Sequence, residues 1–328
     1  MHVATAGSAR PAGQAAGSED GLPRREQDHG GQMRPFLERV KSGPVIIADG
    51  AMGSFLMKRG LEPGQAPESF NLDRPDALRE VAKLYLEAGA EVVQTNTFGG
   101  SALKLAAYGL DNRTEEINAR AVELVREAVG ERAYVSGSCG PSGRTLLPYG
   151  DTDPDEVFES FLRQTGALVE AGADVICVET MTDLTEAVLA VRAAREASAD
   201  VPVMATMTFD ATPRGFYTIM GVDVPGAAEG LLAAGADIVG SNCGNGIENM
   251  VSIAREYRAC TDAPLLIQSN AGLPELVNGE VVYGETPEFM AEHAVELLNV
   301  GVQIIGGCCG TTPEHISALR AALRGKDE

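Results

Sequence analysis

Three features of the 328-residue sequence predict a single (β/α)8 TIM barrel, an α/β fold. The first is an internal repeat. YLEAGAEVVQTNTF (85–98), LVEAGADVICVETM (168–181), LLAAGADIVGSNCG (231–244) and LLNVGVQIIGGCCG (297–310) each read as a helix end, a glycine and a short β-branched run. Gly89, Gly172, Gly235 and Gly301 are 83, 63 and 66 residues apart. Each step is about two βα units, at roughly 30 residues or more per crossover. The second feature is the set of intervening strands, PVIIAD (44–49), AYVSGS (133–138), VPVMATMTF (201–209) and PLLIQSN (264–270), which bring the strands to eight. The third is where the polar residues fall. Asp49-Gly50, Thr95-Asn96, Ser138-Cys139, Glu179-Thr180, Asp210, Asn242-Cys243, Asn270 and Cys308-Cys309 all close a strand. Barrels carry their chemistry at the C-terminal ends of strands. An open doubly wound sheet is the alternative, and it leaves that distribution unexplained.

Taken in order, residues 1–33 predict a disordered tail, rich in Gly, Ala and mixed charge with no sustained period, so too little surface is buried to offset ordering entropy. Residues 34–328 form the barrel domain. Its strands are nearly continuous apolar runs, as in a parallel sheet covered on both faces, and amphipathic stretches separate them. Helix starts are marked by Asp153-Pro154 with Glu156, by Thr286-Pro287 and by Thr312-Pro313, each a capping residue followed by proline at the first helical position.

The composition, 44% apolar, supports a large core, and 26 Lys plus Arg against 47 Asp plus Glu leave a net charge of −21. The four basic and four acidic residues up to Arg34 cancel, so the negative charge belongs to the barrel. Such a chain repels phosphate backbones, which disfavours nucleic acid and anionic membranes as partners. No run approaches 18 apolar residues and the N-terminus lacks an apolar signal segment. With six scattered cysteines and no compact disulfide framework, a reducing cytoplasm is the expected location.

Two scarcities narrow the chemistry. Of four histidines, His2 and His29 lie in the tail, leaving His293 and His315, so a His-rich metal site is excluded. The five lysines (41, 58, 83, 104 and 326) avoid the strand ends, which argues against a Schiff base. Cysteine and carboxylate remain. Cys243 closes the sixth strand, and the adjacent Cys308 and Cys309 close the eighth. Three thiolates at a barrel mouth suit Zn²⁺, and three protein ligands leave the fourth position open, the mark of a catalytic site. Cys177 and Cys260 read as small hydrophobes. Cys139 shares the mouth as a fourth ligand, a substrate contact or a bystander, with bystander the safer choice; His315 fits packing or capping better than ligation. An open zinc–thiolate site binds an incoming thiol as thiolate, so alkyl transfer to sulfur is its natural reaction. If the thiol belongs to an amino acid, Asp49 and Glu179 are placed to hold its ammonium group. The DGAMG turn at Gly50 offers backbone N–H groups to its carboxylate.

DGAMGS (49–54), TNTFGG (95–100), GSCGPSG (137–143), ICVETMTDLTEA (176–187), MTFD (207–210), GSNCGNG (240–246), SNAGLP (269–274) and GGCCGTTPEHI (306–316) resemble the homocysteine S-methyltransferase family over about residues 44–324. The likeness is nearest to the homocysteine-binding module of cobalamin-dependent methionine synthase. The resemblance implies a TIM barrel, a zinc ion on Cys243, Cys308 and Cys309, homocysteine as methyl acceptor, Asp49 and Glu179 on its ammonium end, and Gly50 and Asn242 among the substrate-binding residues. Three departures bear on donor or acceptor preference: ATPRGFYTIMGV (211–222) after strand five, Gln268, and Cys139 in a place usually aliphatic. The donor implied is a methyl-corrinoid on a separate protein. S-methylmethionine, S-adenosylmethionine or betaine are the alternatives, and these cations call for an aromatic cage in a chain without tryptophan, to which Tyr149, Phe216 and Tyr217 could contribute. A non-catalytic zinc or thiol-binding subunit of a corrinoid system is the second class of function. An aldolase or phosphate-binding barrel is the third, opposed by the missing strand-end lysine and by GGCCG in the phosphate-loop position.

Overall fold

The computed structural model describes residues 34–277 and 280–324. The expectation for residues 1–33 lies outside the described residues. Eight parallel strands form the barrel: β1 (Ile46–Ile47), β2 (Val92–Gln94), β3 (Tyr134–Cys139), β4 (Val175–Met181), β5 (Val203–Met207), β6 (Ile238–Asn242), β7 (Leu265–Ser269) and β8 (Ile304–Gly307). Each pairs with its neighbours in sequence order, β8 returns to β1, and a parallel bridge between Ala48 and Val92 closes the ring.

Eight outer helices follow the strands in turn: α1 (Pro75–Ala88), α2 (Thr114–Val129), α3 (Pro154–Glu170), α4 (Leu184–Ala197), α5 (Val224–Ala234), α6 (Ile247–Cys260), α7 (Pro287–Val300) and α8 (Pro313–Arg324). Their boundaries have local causes. The side chains of Asp153, Asp183, Asp223 and Thr286 accept first-turn N–H groups of α3, α4, α5 and α7. Gly89, Gly235 and Gly301 end α1, α5 and α7 at φ of 101°, 109° and 81°, the left-handed conformation that favours glycine.

The helices pack on the outward strand residues in one continuous apolar cluster, which includes Val93, Val135, Ile176, Val239 and Ile305. The inward residues Ile46, Val92, Tyr134, Val175, Cys177, Met204, Ile238, Leu266 and Ile304 form a second cluster. A helix the sequence did not announce, Phe36–Ser42, adds Phe36 and Val40 to that inner layer and plugs the N-terminal end of the barrel. Phe36 meets the Tyr134 ring edge-on at 5.0 Å. Cys177 therefore sits among apolar side chains. Cys260 is exposed, so its expected place as a buried hydrophobe is corrected.

The repeat seen in the sequence has a structural counterpart at this closed end. Glu91, Asp174, Asp237 and Gln303 immediately precede β2, β4, β6 and β8. Each gives its backbone N–H to the carbonyl of a residue on the preceding strand, Ile47, Val135, Val203 and Leu265. Its side-chain oxygen takes that same residue's N–H in return. Arginines near the ends of α8, α2, α4 and α6 (Arg324, Arg126, Arg195 and Arg258) cover the four latches. The closed end is thus fastened four times over, and the opposite end is left to loops.

Two hairpins rise from those loops: Asp210–Thr212 with Gly215–Tyr217 after β5, and Pro274–Val277 with Glu280–Tyr283 after β7. The first is the form taken by part of ATPRGFYTIMGV.

Candidate metal centre

Cys243 follows β6, and Cys308 and Cys309 follow β8, so the thiols come from strands on either side of β7. Their sulfur atoms all lie within 4.8 Å of one another, and Cys243 and Cys309 are 3.7 Å apart. Zinc–sulfur bonds of about 2.3 Å in a tetrahedron put sulfurs about 3.8 Å apart, so the donor set fits a zinc ion. Among the described residues, this is the only such cluster of Cys, His, Asp and Glu.

Backbone geometry aims these thiols. Cys243 has φ of 61°, costly for a side chain with a Cβ, and its N–H donates to the Gln268 carbonyl at 3.2 Å. The Cys308 N–H donates to the Ser269 carbonyl at 2.7 Å, and the Cys309 N–H to Asn270 Oδ1 at 3.1 Å. Strand β7 and Asn270, the residue after it, therefore support all three cysteines. Hydrogen bonds from Cys243 and Cys308 lower the Cys309 thiol, with help from the Tyr283 phenol, while the same sharing raises Cys308. Three thiols converge on one small volume, where a divalent cation would favour the thiolate form of all three.

Tyr283 was not singled out in the sequence. Its ring covers Gly310: a Cβ on Gly310, whose φ is 80°, would sit 2.2 Å from Tyr283 Cγ. Glycine is required there for both conformation and space.

Asp49 and Glu179 lie in the same mouth, 1% and 6% exposed. Asp49 Oδ2 accepts the Gln94 N–H at 2.8 Å, and Asp49 Oδ1 is buried without a hydrogen-bond partner. Burial, reinforced by the charge of Glu179, pushes Asp49 up to about 8 against the pull of the Gln94 N–H. Glu179 takes the hydroxyl of Ser138 and the amide of Asn242, and burial pushes it up to about 7. Two buried carboxylates with raised affinity for protons form a pocket suited to a cationic group. Gly50 brings the turn after β1 against the loop after β8: a Cβ there would lie 2.5 Å from Thr311 Oγ1, which accepts the Ala51 N–H at 3.2 Å.

Asn242 is brought to the same place, although it is fully buried and its amide is engaged by protein groups. Cys139 is separate from the sulfur cluster: its thiol donates to Gln164 Oε1 at 3.2 Å inside the core. His315 is not among the sulfurs either. Its Nδ1 accepts the Thr312 N–H at 3.2 Å, which fixes the proton on Nε2 for the Glu285 carbonyl at 3.0 Å.

The chain is similar to known proteins in sequence and in fold. The family model described as homocysteine S-methyltransferase matches residues 46–323. The methionine synthases of Mycobacterium tuberculosis and Mycobacterium leprae are each 32% identical, over 87% and 85% of this chain, but over 25% and 24% of their own lengths. The chain thus spans about a quarter of the length of these curated relatives. The crystal structure of the homocysteine methyltransferase MmuM from Escherichia coli, in its metallated form, has a similar fold, with a TM-score of 0.73 at 23% identity over 88% of this chain and 99% of that one.

Proposed function

The chain belongs to the homocysteine S-methyltransferase family, and from that premise we propose that it transfers a methyl group to the thiolate of homocysteine, giving methionine, at a zinc ion held by Cys243, Cys308 and Cys309. The observation that carries this proposal is the sulfur tripod, all within 4.8 Å, with Cys243 and Cys309 at 3.7 Å, beside two buried carboxylates. When bound, zinc would supply the positive charge that stabilises the substrate sulfur as thiolate at neutral pH.

The chain's own residues do the rest by binding and orientation. Asp49, through its unpartnered Oδ1, and Glu179 hold the ammonium group, and pairing with that cation favours their ionised forms. The turn at Gly50, fixed to Thr311, presents backbone to the substrate carboxylate. The thiol proton leaves to solvent. A carbon–sulfur bond forms as the methyl–donor bond breaks, and the donor keeps that bond's electron pair.

We propose a methyl-corrinoid borne on a protein as the donor. Every large hydrophobic residue exposed among the described residues lies between a barrel strand and its following outer helix, on the side that bears the cysteines; Ile219 is 77% and Leu276 75% exposed. An apolar rim of this kind suits a macromolecular partner. The aromatic residues that a small cationic donor needs are not gathered into a cage. Tyr149 is 82% exposed, Phe216 packs on the core, and Arg214 already lies over the Tyr217 ring at 5.5 Å.

Metal analysis with zinc-edge absorption spectroscopy on reduced protein tests the site. One zinc per chain with three sulfur ligands is expected, rising to four sulfurs on adding homocysteine, and Cys308→Ala should lose both zinc and transfer. No zinc, or a closed four-sulfur site indifferent to homocysteine, overturns the proposal. Turnover with S-methylmethionine, S-adenosylmethionine or betaine and none with a methyl-corrinoid protein overturns the donor alone.

A further inference from the structure

Asn242 closes β6 immediately before the first cysteine of the tripod, and its side chain has no exposed surface. Oδ1 accepts two hydrogen bonds, from the Thr180 N–H and from the Thr206 hydroxyl, both at 2.8 Å. A backbone N–H can only donate, so the amide orientation is determined. Nδ2 then faces three acceptors: Thr180 Oγ1 at 2.7 Å, Glu179 Oε2 at 3.2 Å and Cys308 Sγ at 3.8 Å. Both lone-pair positions and both N–H groups are used within the protein, which leaves the amide nothing to offer a substrate.

Its partners are not equivalent. Thr180 has φ of 58°, a left-handed conformation that a β-branched residue adopts only when its surroundings impose it. Asn242 grips that residue twice, by the N–H and by the hydroxyl. The strained turn directly follows Glu179 and sets where its carboxylate points. The same amide reaches Cys308, a sulfur of the tripod on another strand. One side chain therefore touches the acid pocket, the turn that follows it and one sulfur of the tripod.

We infer that Asn242 is a positioning residue that fixes the acid pocket relative to the thiolate tripod, so that the ammonium and the sulfur of one amino acid are held at a set separation. This rests on the function proposed above and replaces the direct substrate contact expected from the sequence. Asn242→Ala removes the grip on Thr180 and the contact to Cys308. Asn242→Asp keeps the shape and turns an oxygen toward Glu179 and Cys308. Thr180→Gly, added to Asn242→Ala, removes the cost of the left-handed turn without restoring the amide.

The test measures zinc affinity by competition with a chromophoric chelator, KM for homocysteine, and thermal melting to verify folding. Either single substitution should weaken zinc and raise KM, each by about 10- to 100-fold, the usual range for outer-shell partners of a metal site. In the double variant KM should recover at least threefold while zinc stays weak. A raised KM with unchanged zinc affinity means direct substrate contact and overturns the inference. Loss of both without recovery in the double variant means general packing and also overturns it. If the unaltered protein binds zinc but does not turn over homocysteine, the proposed function fails, and unchanged zinc affinity in Asn242→Asp would then separately overturn the link to Cys308.

Discussion

Asp174 and Val135 exchange two hydrogen bonds across the base of the barrel. The Asp174 N–H donates to the Val135 carbonyl at 2.9 Å, and Asp174 Oδ2 accepts the Val135 N–H at 2.6 Å. Arg126, at 2.6 Å from the same oxygen, completes the latch. Asp174→Ala leaves both the strand N–H and a half-buried guanidinium short of a partner, a loss of about 1–3 kcal/mol. Glu127→Ala, which breaks exposed pairs with Arg79 and Arg120, should cost about 1 kcal/mol or less. Denaturant titration of the two variants checks the difference, and zinc content should not change in either.

Asp49 makes the metal-free protein less stable in base. With its folded value raised from 3.8 to about 8, the native state holds a proton that the unfolded chain has released throughout that window. Stability from this group is complete below pH 3.8 and is lost as pH rises through 8. Asp49→Asn should therefore match the unaltered protein near pH 4 and melt at a higher temperature at pH 9. The same variant should raise KM for homocysteine by at least about 10-fold, because the ammonium loses a charged partner. Melting at both pH values with steady-state kinetics checks the pair; a variant less stable than the parent at pH 9 contradicts the assignment.

The apolar rim gives a prediction about the donor. Ile219→Asp and Leu276→Asp place charge on side chains already in water, so folding and zinc content should hold within error. Transfer from a methyl-corrinoid protein should show a KM for that protein raised about 10-fold or more, as for a desolvated hydrophobic contact of about 1.4 kcal/mol or above. Unchanged kinetics with both substitutions combined would place the partner elsewhere.

Much of the site was legible because barrels put chemistry at strand ends, where a break in an apolar run shows in one dimension. Cys243, Cys308, Cys309, Asp49 and Glu179 were found that way. Asn242 stood out too, but nothing local tells whether an amide is free or, as here, hydrogen-bonded to Thr180 and Thr206. Tyr283 and Thr311 escaped notice because their neighbours, Gly310 and Ala51, become neighbours only through the fold. The second hairpin carried a readable signal in the Asn-Gly of ELVNGEVVY. The helix over Phe36–Ser42 carried less, because about two turns have too few periodic positions to stand out.

What the sequence by itself determined is the alternation of elements and the kind of chemistry. Both depend on short-range patterns: a glycine that ends a helix, a β-branched run, a thiol or carboxylate at its close. Tertiary structure alone decided which groups meet. Arg126 and Asp174 are 48 residues apart, Asn242 and Glu179 are 63, and Ala51 and Thr311 are 260. Contacts across such spans leave no periodicity in the chain. They arise because closing eight strands into a ring brings every strand start to one end and every strand end to one mouth, where distances of a few ångströms decide what a side chain is able to bind.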